Sequence, residues 1–221
     1  RSFDMDEAGI RIPAGLAYSP AADGLLSWDA STLNAPDNTA INVVHRQREE
    51  AAGLTSAAVT ISDPASMAFD RRSNALFSYE AEGQRLVQIQ ALADGLLDAS
   101  PEAVSYHDLA PLKLGQVEGL TFDPNTGDLF ILDAAIPAVV KIAPGPGADF
   151  DAQSAIDGRR VSQIALDSLG KGEAGAVAFN PGNGRLYVLA SRTSEVHEVS
   201  LDGQATGFMD LSALGLSNAS G

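Results

Sequence analysis

The chain has no cysteine. This removes disulfides, thiolate metal centres and cysteine nucleophiles together. It leaves the redox compartment open, although an acidic chain without cysteine is indifferent to an oxidising medium and fits an exported bacterial protein, periplasmic, secreted or at the cell surface. Basic residues are scarce: 14 Lys and Arg stand against 29 Asp and Glu, a formal charge of −15. Such a surface repels phosphate backbones and anionic headgroups, so nucleic acid and acidic lipid are poor candidate partners. No run approaches the roughly 18 apolar residues that a membrane helix needs, and no membrane insertion is expected. GxSxG, HExxH and Walker lines are all missing. His45, His107 and His197 share no recurring spacing with Ser or Asp, so none reads as a catalyst. Helical periodicity is missing too, apart from residues 46–52, where Glu49, Glu50, Ala51 and Ala52 favour a short helical turn. The stretch 45–53 around it reads as a solvated edge loop. The chain opens at Arg1 without an initiator Met or a signal-like segment, which leads us to expect a processed form or a portion of a longer protein.

What is present is repetition. Residues 118–142 read EGLTFDPNTGDLFILDAAIPAVVKI: a small residue, an apolar run ending in an aromatic, an Asp/Asn/Gly turn, a second apolar run ending in an acid, and an alternating segment. That is a three-stranded meander. The line returns as AGLAYSPAADGLLSWDAS from Ala14, ASMAFDRRSNALFSYEAEGQRLVQI from Ala65 and GAVAFNPGNGRLYVLASRTSEVHEV from Gly175. The equivalent apolar residues Leu16, Met67, Leu120 and Val177 are offset by 51, 53 and 57 positions. A period near 50 made only of strands predicts an all-β fold, a β-propeller of about four four-stranded antiparallel blades. The whole of 1–221 is then one propeller segment, with units at about 13–62, 63–115, 116–172 and 173–217.

Within each unit the alternation assigns the strands. Leu16, Tyr18, Met67, Phe69, Leu120, Phe122, Val177 and Phe179 alternate with small residues that let one sheet lie close against the next. These inner strands, with Leu129 and Ile131, should supply the core between sheets. The turns PAADG, DRRSN, DPNTGD and NPGNG return the chain to second strands LLSWD, LFSYE, LFILD and LYVLA. Third strands follow at AINVVH, RLVQI, AVVKI and EVHEV, and fourth strands at AAVTI, AVSYHDL, RVSQIAL and QATGFMDL. Long variable loops fall at 30–39 and 142–154. The head, RSFDMDEAGIRIP, resembles a fourth strand with no unit before it, and the tail Ala219-Ser220-Gly221 aligns with Pro13-Ala14-Gly15. An open array exposes strand edges and an apolar sheet face. Self-association through those open ends, or a parent chain with one or two further blades, is therefore expected.

The repeat line resembles the six-bladed propellers of the NHL, YWTD and SdiA-regulated kind, most closely over residues 119–130, and the resemblance runs through nearly the whole chain. The group includes lactonases, phytase-like hydrolases, receptor ectodomains and structural modules, so the resemblance speaks to architecture more than to chemistry.

Asp29, Glu80 and Asp133 occupy one aligned position at the end of the second strand, where the fourth unit has Ala190. In YWTD-like propellers this acid bonds between blades, and a carboxylate accepting backbone N–H bonds is the reading we favour. The other reading has these carboxylates converging to hold a hard cation such as Ca²⁺, which takes six to eight oxygens. Glu118 alone places an acid before the small residue, where the other units have Ala14, Ala65 and Gly175. Resemblance to lactonase-like and phytase-like propellers makes it the best single candidate for a metal ligand, without a nameable set of partners. The turn DPNTGD lacks the Glu that closes a calcium loop and reads as a hairpin turn. Trp28 is expected to pack between blades. The sequence thus supports a noncatalytic propeller scaffold or binding module of a larger exported protein, its ligand an unspecified protein or small molecule. The alternative is a metal-dependent hydrolase of the lactonase or phytase-like kind.

Overall fold

The computed structural model describes residues 13–29, 39–45, 51–56, 61, 63–93, 97, 100–166 and 173–214. They form four antiparallel sheets of four strands each, every sheet running in sequence order from inner to outer strand. The first contains β1 (Pro13–Ser19), β2 (Gly24–Asp29), β3 (Thr39–His45) and β4 (Ala51–Ser56); the second, β5 (Pro64–Asp70), β6 (Ala75–Glu80), β7 (Arg85–Gln90) and β8 (Val104–Asp108). The third contains β9 (Val117–Phe122), β10 (Leu129–Asp133), β11 (Ala138–Ile142) and β12 (Val161–Ala165); the fourth, β13 (Ala174–Asn180), β14 (Arg185–Ala190), β15 (Glu195–Val199) and β16 (Ala205–Asp210). The chain divides into two compact units, Arg1–His107 and Asp108–Gly221. Among the described residues no helix is long and apolar enough to cross a membrane.

The turn between the first two strands is built the same way four times. The residue that closes the inner strand, Ser19, Asp70, Asp123 or Asn180, accepts a backbone N–H two or three residues on. The residue that ends the turn has positive φ in every sheet: Asp23, Asn74, Gly127 and Gly184. Asp, Asn and Gly are the residues that tolerate that region. Asp123 therefore works as a turn former. Its carboxylate also accepts from the Thr126 hydroxyl at 3.0 Å.

Packing inside each unit follows the alternation. In the first, Ala17 and Leu26 join Met67, Leu76, Val87 and Ile89 in one apolar cluster. In the second, Phe130, Leu132, Val139 and Ile164 pack with Val177, Leu186, Val188 and Ala190. Close approach needs a small residue: a Cβ on Gly119 would lie 2.9 Å from both the Val177 backbone nitrogen and its Cγ1. The Phe179 N–H donates to the Thr121 hydroxyl at 3.1 Å, tying β13 to β9. β6 and β10 are buried along their whole length, whereas β16 is exposed throughout.

Four expectations change. The fourth strand of the first sheet is Ala51–Ser56, which pairs with β3 from Val44↔Ala51 to Thr39↔Ser56; residues 57–60 of the expected strand lie outside the described residues. The local helical preference of Ala51 and Ala52 yields to the ladder, which a short connection closes at small entropic cost. Ile61, expected in that strand, is instead a buried member of the first unit's cluster. Leu16 and Tyr18, expected in the core, are 51% and 45% exposed. Phe179 is only half-buried. Last, a six-residue helix, α1 (Ala152–Asp157), stands in what reads as a plain loop; Asp151 caps it by accepting the Ser154 N–H. The edge loop expected at 45–53 is strand at both ends, His45 closing β3 and Ala51 to Gly53 opening β4; its residues 46–50, the head strand at 1–12 and the tail at 215–221 lie outside the described residues.

Candidate functional site

Each inner strand begins with an irregularity that the repeat does not announce. The β1–β2 register slips between Ala14 and Leu16, β5–β6 between Pro64 and Ser66, and β13–β14 between Ala174 and Ala176. In the third sheet Val117 faces Asp133 while Gly119 faces Leu132, so Glu118 is the extra residue. These are β-bulges, which bend a strand and re-aim a side chain, and they favour rims and binding sites. The extra residues of the other sheets are Gly15, Ala65 and Gly175. Only the third sheet puts an ionisable side chain on its bulge.

The register also brings the start of β9 beside the end of β10, and there Glu118 and Asp133 meet through Gln116. The Gln116 side-chain amide donates to Glu118 Oε1 at 2.6 Å, and its backbone N–H donates to Asp133 Oδ1 at 3.0 Å. Asp133 is fully buried and accepts two further N–H bonds, from Gly115 at 2.8 Å and Ala135 at 3.0 Å. A Cβ on Gly115 would stand 2.6 Å from the Ala135 Cβ, so glycine is what lets this segment come in to the carboxylate. Asp133 thereby fastens the approach to β9 and the exit from β10 to one point.

The same aligned position is used differently in the second sheet. Glu80, 2% exposed, sits opposite Arg85 in the ladder and takes a two-pronged ion pair from it: Arg85 Nε donates to Oε2, and Nη2 to Oε1 at 3.1 Å. The Glu80 hydrogen bond holds the Arg85 guanidinium further toward its charged form than usual. The same guanidinium lies 4.3 Å over the Tyr106 ring. Asp29 ends β2, across from Pro13; its side chain, like that of Trp28, lies outside the described set. Ala190 has no carboxylate, and there the Ser191 N–H bonds to the Glu173 carbonyl at 2.8 Å.

Of the four candidate ligands, then, Glu118 and Asp133 are brought together and Glu80 is paired within the first unit. Among the described residues no group of three or more His, Cys, Asp or Glu is placed to hold a metal ion. Calcium asks for six to eight oxygens. The buried Asp133 accepts from three N–H donors and Glu80 is paired with Arg85. Gln116 was missed by sequence reasoning because no motif marks it. A fold in the alternation would have given the bulge away: Val117 and Leu120 are both buried and apolar at an odd spacing. Of the histidines, His107 is buried with Nε2 2.9 Å from Gln88 Oε1, and His197 lies 3.2 Å from Glu195.

No family model matches the chain, and no curated protein matches it. Solved structures do. A protein from Lactobacillus plantarum, 17% identical, superposes with a TM-score of 0.56 over 90% of this chain and 55% of its own. A streptogramin B lyase, 9% identical, gives 0.55 over 90% and 54%. A chain of the nidogen/laminin complex, 14% identical, gives 0.53 over 92% and 82%. The chain spans about half the length of the first two. At these identities the likeness concerns the fold alone. With the four sequential four-stranded antiparallel sheets, it makes the fold that of a β-propeller.

Proposed function

We propose that the chain is a noncatalytic scaffold or binding module of an exported protein, built from blades of the six-bladed NHL, YWTD and SdiA-regulated kind. One observation carries the reading: Asp133, fully buried, accepts three backbone N–H bonds and so acts as a staple for the chain around it. Glu80, at the same position of another blade, is held by Arg85. Acids used this way set the ends of the strands and leave the loops beyond them to recognise a ligand. The charge of −15 favours a protein or a neutral or cationic small molecule over nucleic acid or anionic lipid.

A second reading, a metal-dependent hydrolase, is favoured by the bulge that presents Glu118. The lyase among the structural neighbours is an enzyme on this fold, at 9% identity. Elemental analysis of the purified protein separates the two. The module holds no stoichiometric divalent ion. One equivalent that survives dialysis and disappears in Glu118→Gln would support the hydrolase.

A further inference from the structure

The turn that joins β13 to β14 contains a reactive pair. Of all the asparagines in the chain, Asn183 alone is followed by glycine. Glycine has no side chain to shield its own nitrogen, so this is the easiest place for a backbone amide to attack the side chain before it. Residues 181–184 are all exposed, and Gly184 has a φ of +68°. The other asparagines with described side chains are placed differently. Asn74 gives its amide to the carbonyls of Ala91 and Leu92, both at 3.1 Å. Asn125 is followed by the β-branched Thr126, and Asn180 by Pro181, whose nitrogen carries no hydrogen.

The fold sets three groups around the Asn183 amide. The Arg185 N–H donates to Oδ1 at 3.2 Å and so favours the negative charge that an attack on Cγ would place there. Nδ2 lies 3.0 Å from the Tyr187 hydroxyl and 3.5 Å from Glu198 Oε1. Tyr187 and Glu198 face each other in the ladder between β14 and β15. Arg185 stands two residues before Tyr187, on the same face, and its Nη1 pairs with Glu198. Among the described residues the Tyr187 hydroxyl meets only Asn183. As Nδ2 turns from amide to amine it becomes an acceptor, and the hydroxyl can then donate to it. The Gly184 N–H is bonded to the Asn180 carbonyl at 2.9 Å and has to let go before its nitrogen attacks. In an exposed turn such an opening costs little.

We propose that Asn183 is a modification site, at which the folded chain converts its own asparagine to aspartate and isoaspartate. The Gly184 nitrogen bonds to Asn183 Cγ and gives its proton to water. The bond from Cγ to Nδ2 breaks, and the nitrogen leaves as ammonia with a proton from the Tyr187 hydroxyl, which water restores. A water molecule then opens the cyclic imide at either carbonyl. Opening at one gives aspartate, and opening at the other routes the backbone through the side chain as isoaspartate. Either product adds a negative charge beside Glu198, where it competes for Arg185. Isoaspartate also lengthens the turn between β13 and β14 by one methylene.

The whole 221-residue chain, held folded in mildly alkaline buffer, tests this by peptide mapping in a mass spectrometer, with isoaspartate methyltransferase labelling to count the rearranged product. Asn183 should lose its amide well ahead of Asn74 and Asn125, and at least as fast as in the same chain unfolded in urea. Tyr187→Phe should slow the folded chain several-fold and leave the unfolded chain unchanged. Gly184→Ala, whose new Cβ meets nothing within 4 Å, should slow both, and it serves where Tyr187→Phe does not fold. A folded wild type that keeps the Asn183 amide while the unfolded chain loses it would overturn the proposal, because the turn would then be protecting the pair. So would a folded Tyr187→Phe, or a Gly184→Ala, that loses the amide as fast as wild type does.

Discussion

Replacing Asp133 by Ala should be among the most damaging single changes in the second unit. Its carboxylate is fully buried and accepts N–H bonds from Gly115, Gln116 and Ala135 at 2.8, 3.0 and 3.0 Å. A hydrogen bond to a charged group contributes about 1.5–3 kcal/mol net, and stranding a buried donor costs about 1–3 kcal/mol. The three bonds share one acceptor and so do not add; about 4 kcal/mol is the loss we expect, a large part of the stability of an ordinary domain. Asp133→Asn keeps one oxygen and turns an NH₂ group toward a donor, and should lose about 2–3 kcal/mol. Glu118→Gln, at a partly exposed bulge, should change stability by less than about 0.5 kcal/mol. Urea titrations followed by far-ultraviolet circular dichroism give these values from the midpoint at constant slope. A loss below about 1 kcal/mol for Asp133→Ala would refute the view that this acid is a staple.

Phe122, 7% exposed and edge-on to Phe150 at 5.8 Å, should lose about 3–5 kcal/mol on truncation to Ala. The half-buried Phe179 should lose less, about 2–3 kcal/mol, so a reversed order in the same titration would contradict the packing. The Ser212 hydroxyl and N–H hold the Asp210 carboxyl below its ordinary range. A depressed folded value means that its stabilising contribution is present above the unfolded value and is lost as pH falls through the folded one. In an NMR titration Ser212→Ala should raise the Asp210 midpoint, and an unmoved midpoint would sink the assignment.

The parts of this fold that were legible were those written in alternation. Leu120 and Phe122 on one face and Gly119 and Thr121 on the other give β9 its register and its close approach to β13. The turn from Asp123 to Gly127 is legible because positive φ selects Asn, Asp or Gly. β4 was misplaced because AAGLTS carries a single large apolar residue, Leu54, and so no alternation of its own; its pairing is decided by β3. α1 spans less than two turns, too short to show a period, and only its Asp151 cap marks it. Alternation says that Leu16 and Tyr18 share a face but not whether a neighbour covers it. At the candidate site the acids were visible as a column, while their roles depend on Gly115, Gln116 and Arg85, which sit at other positions in the line.

Thermal melting of wild type and Glu118→Gln, with saturating calcium and after exhaustive dialysis against chelator, tests the noncatalytic reading most directly. An ion bound to the folded state stabilises it by mass action. If the acids serve the architecture, both proteins melt at the same temperature with and without calcium. A calcium-dependent rise in the wild type that Glu118→Gln abolishes would contradict the account and make Glu118 a ligand.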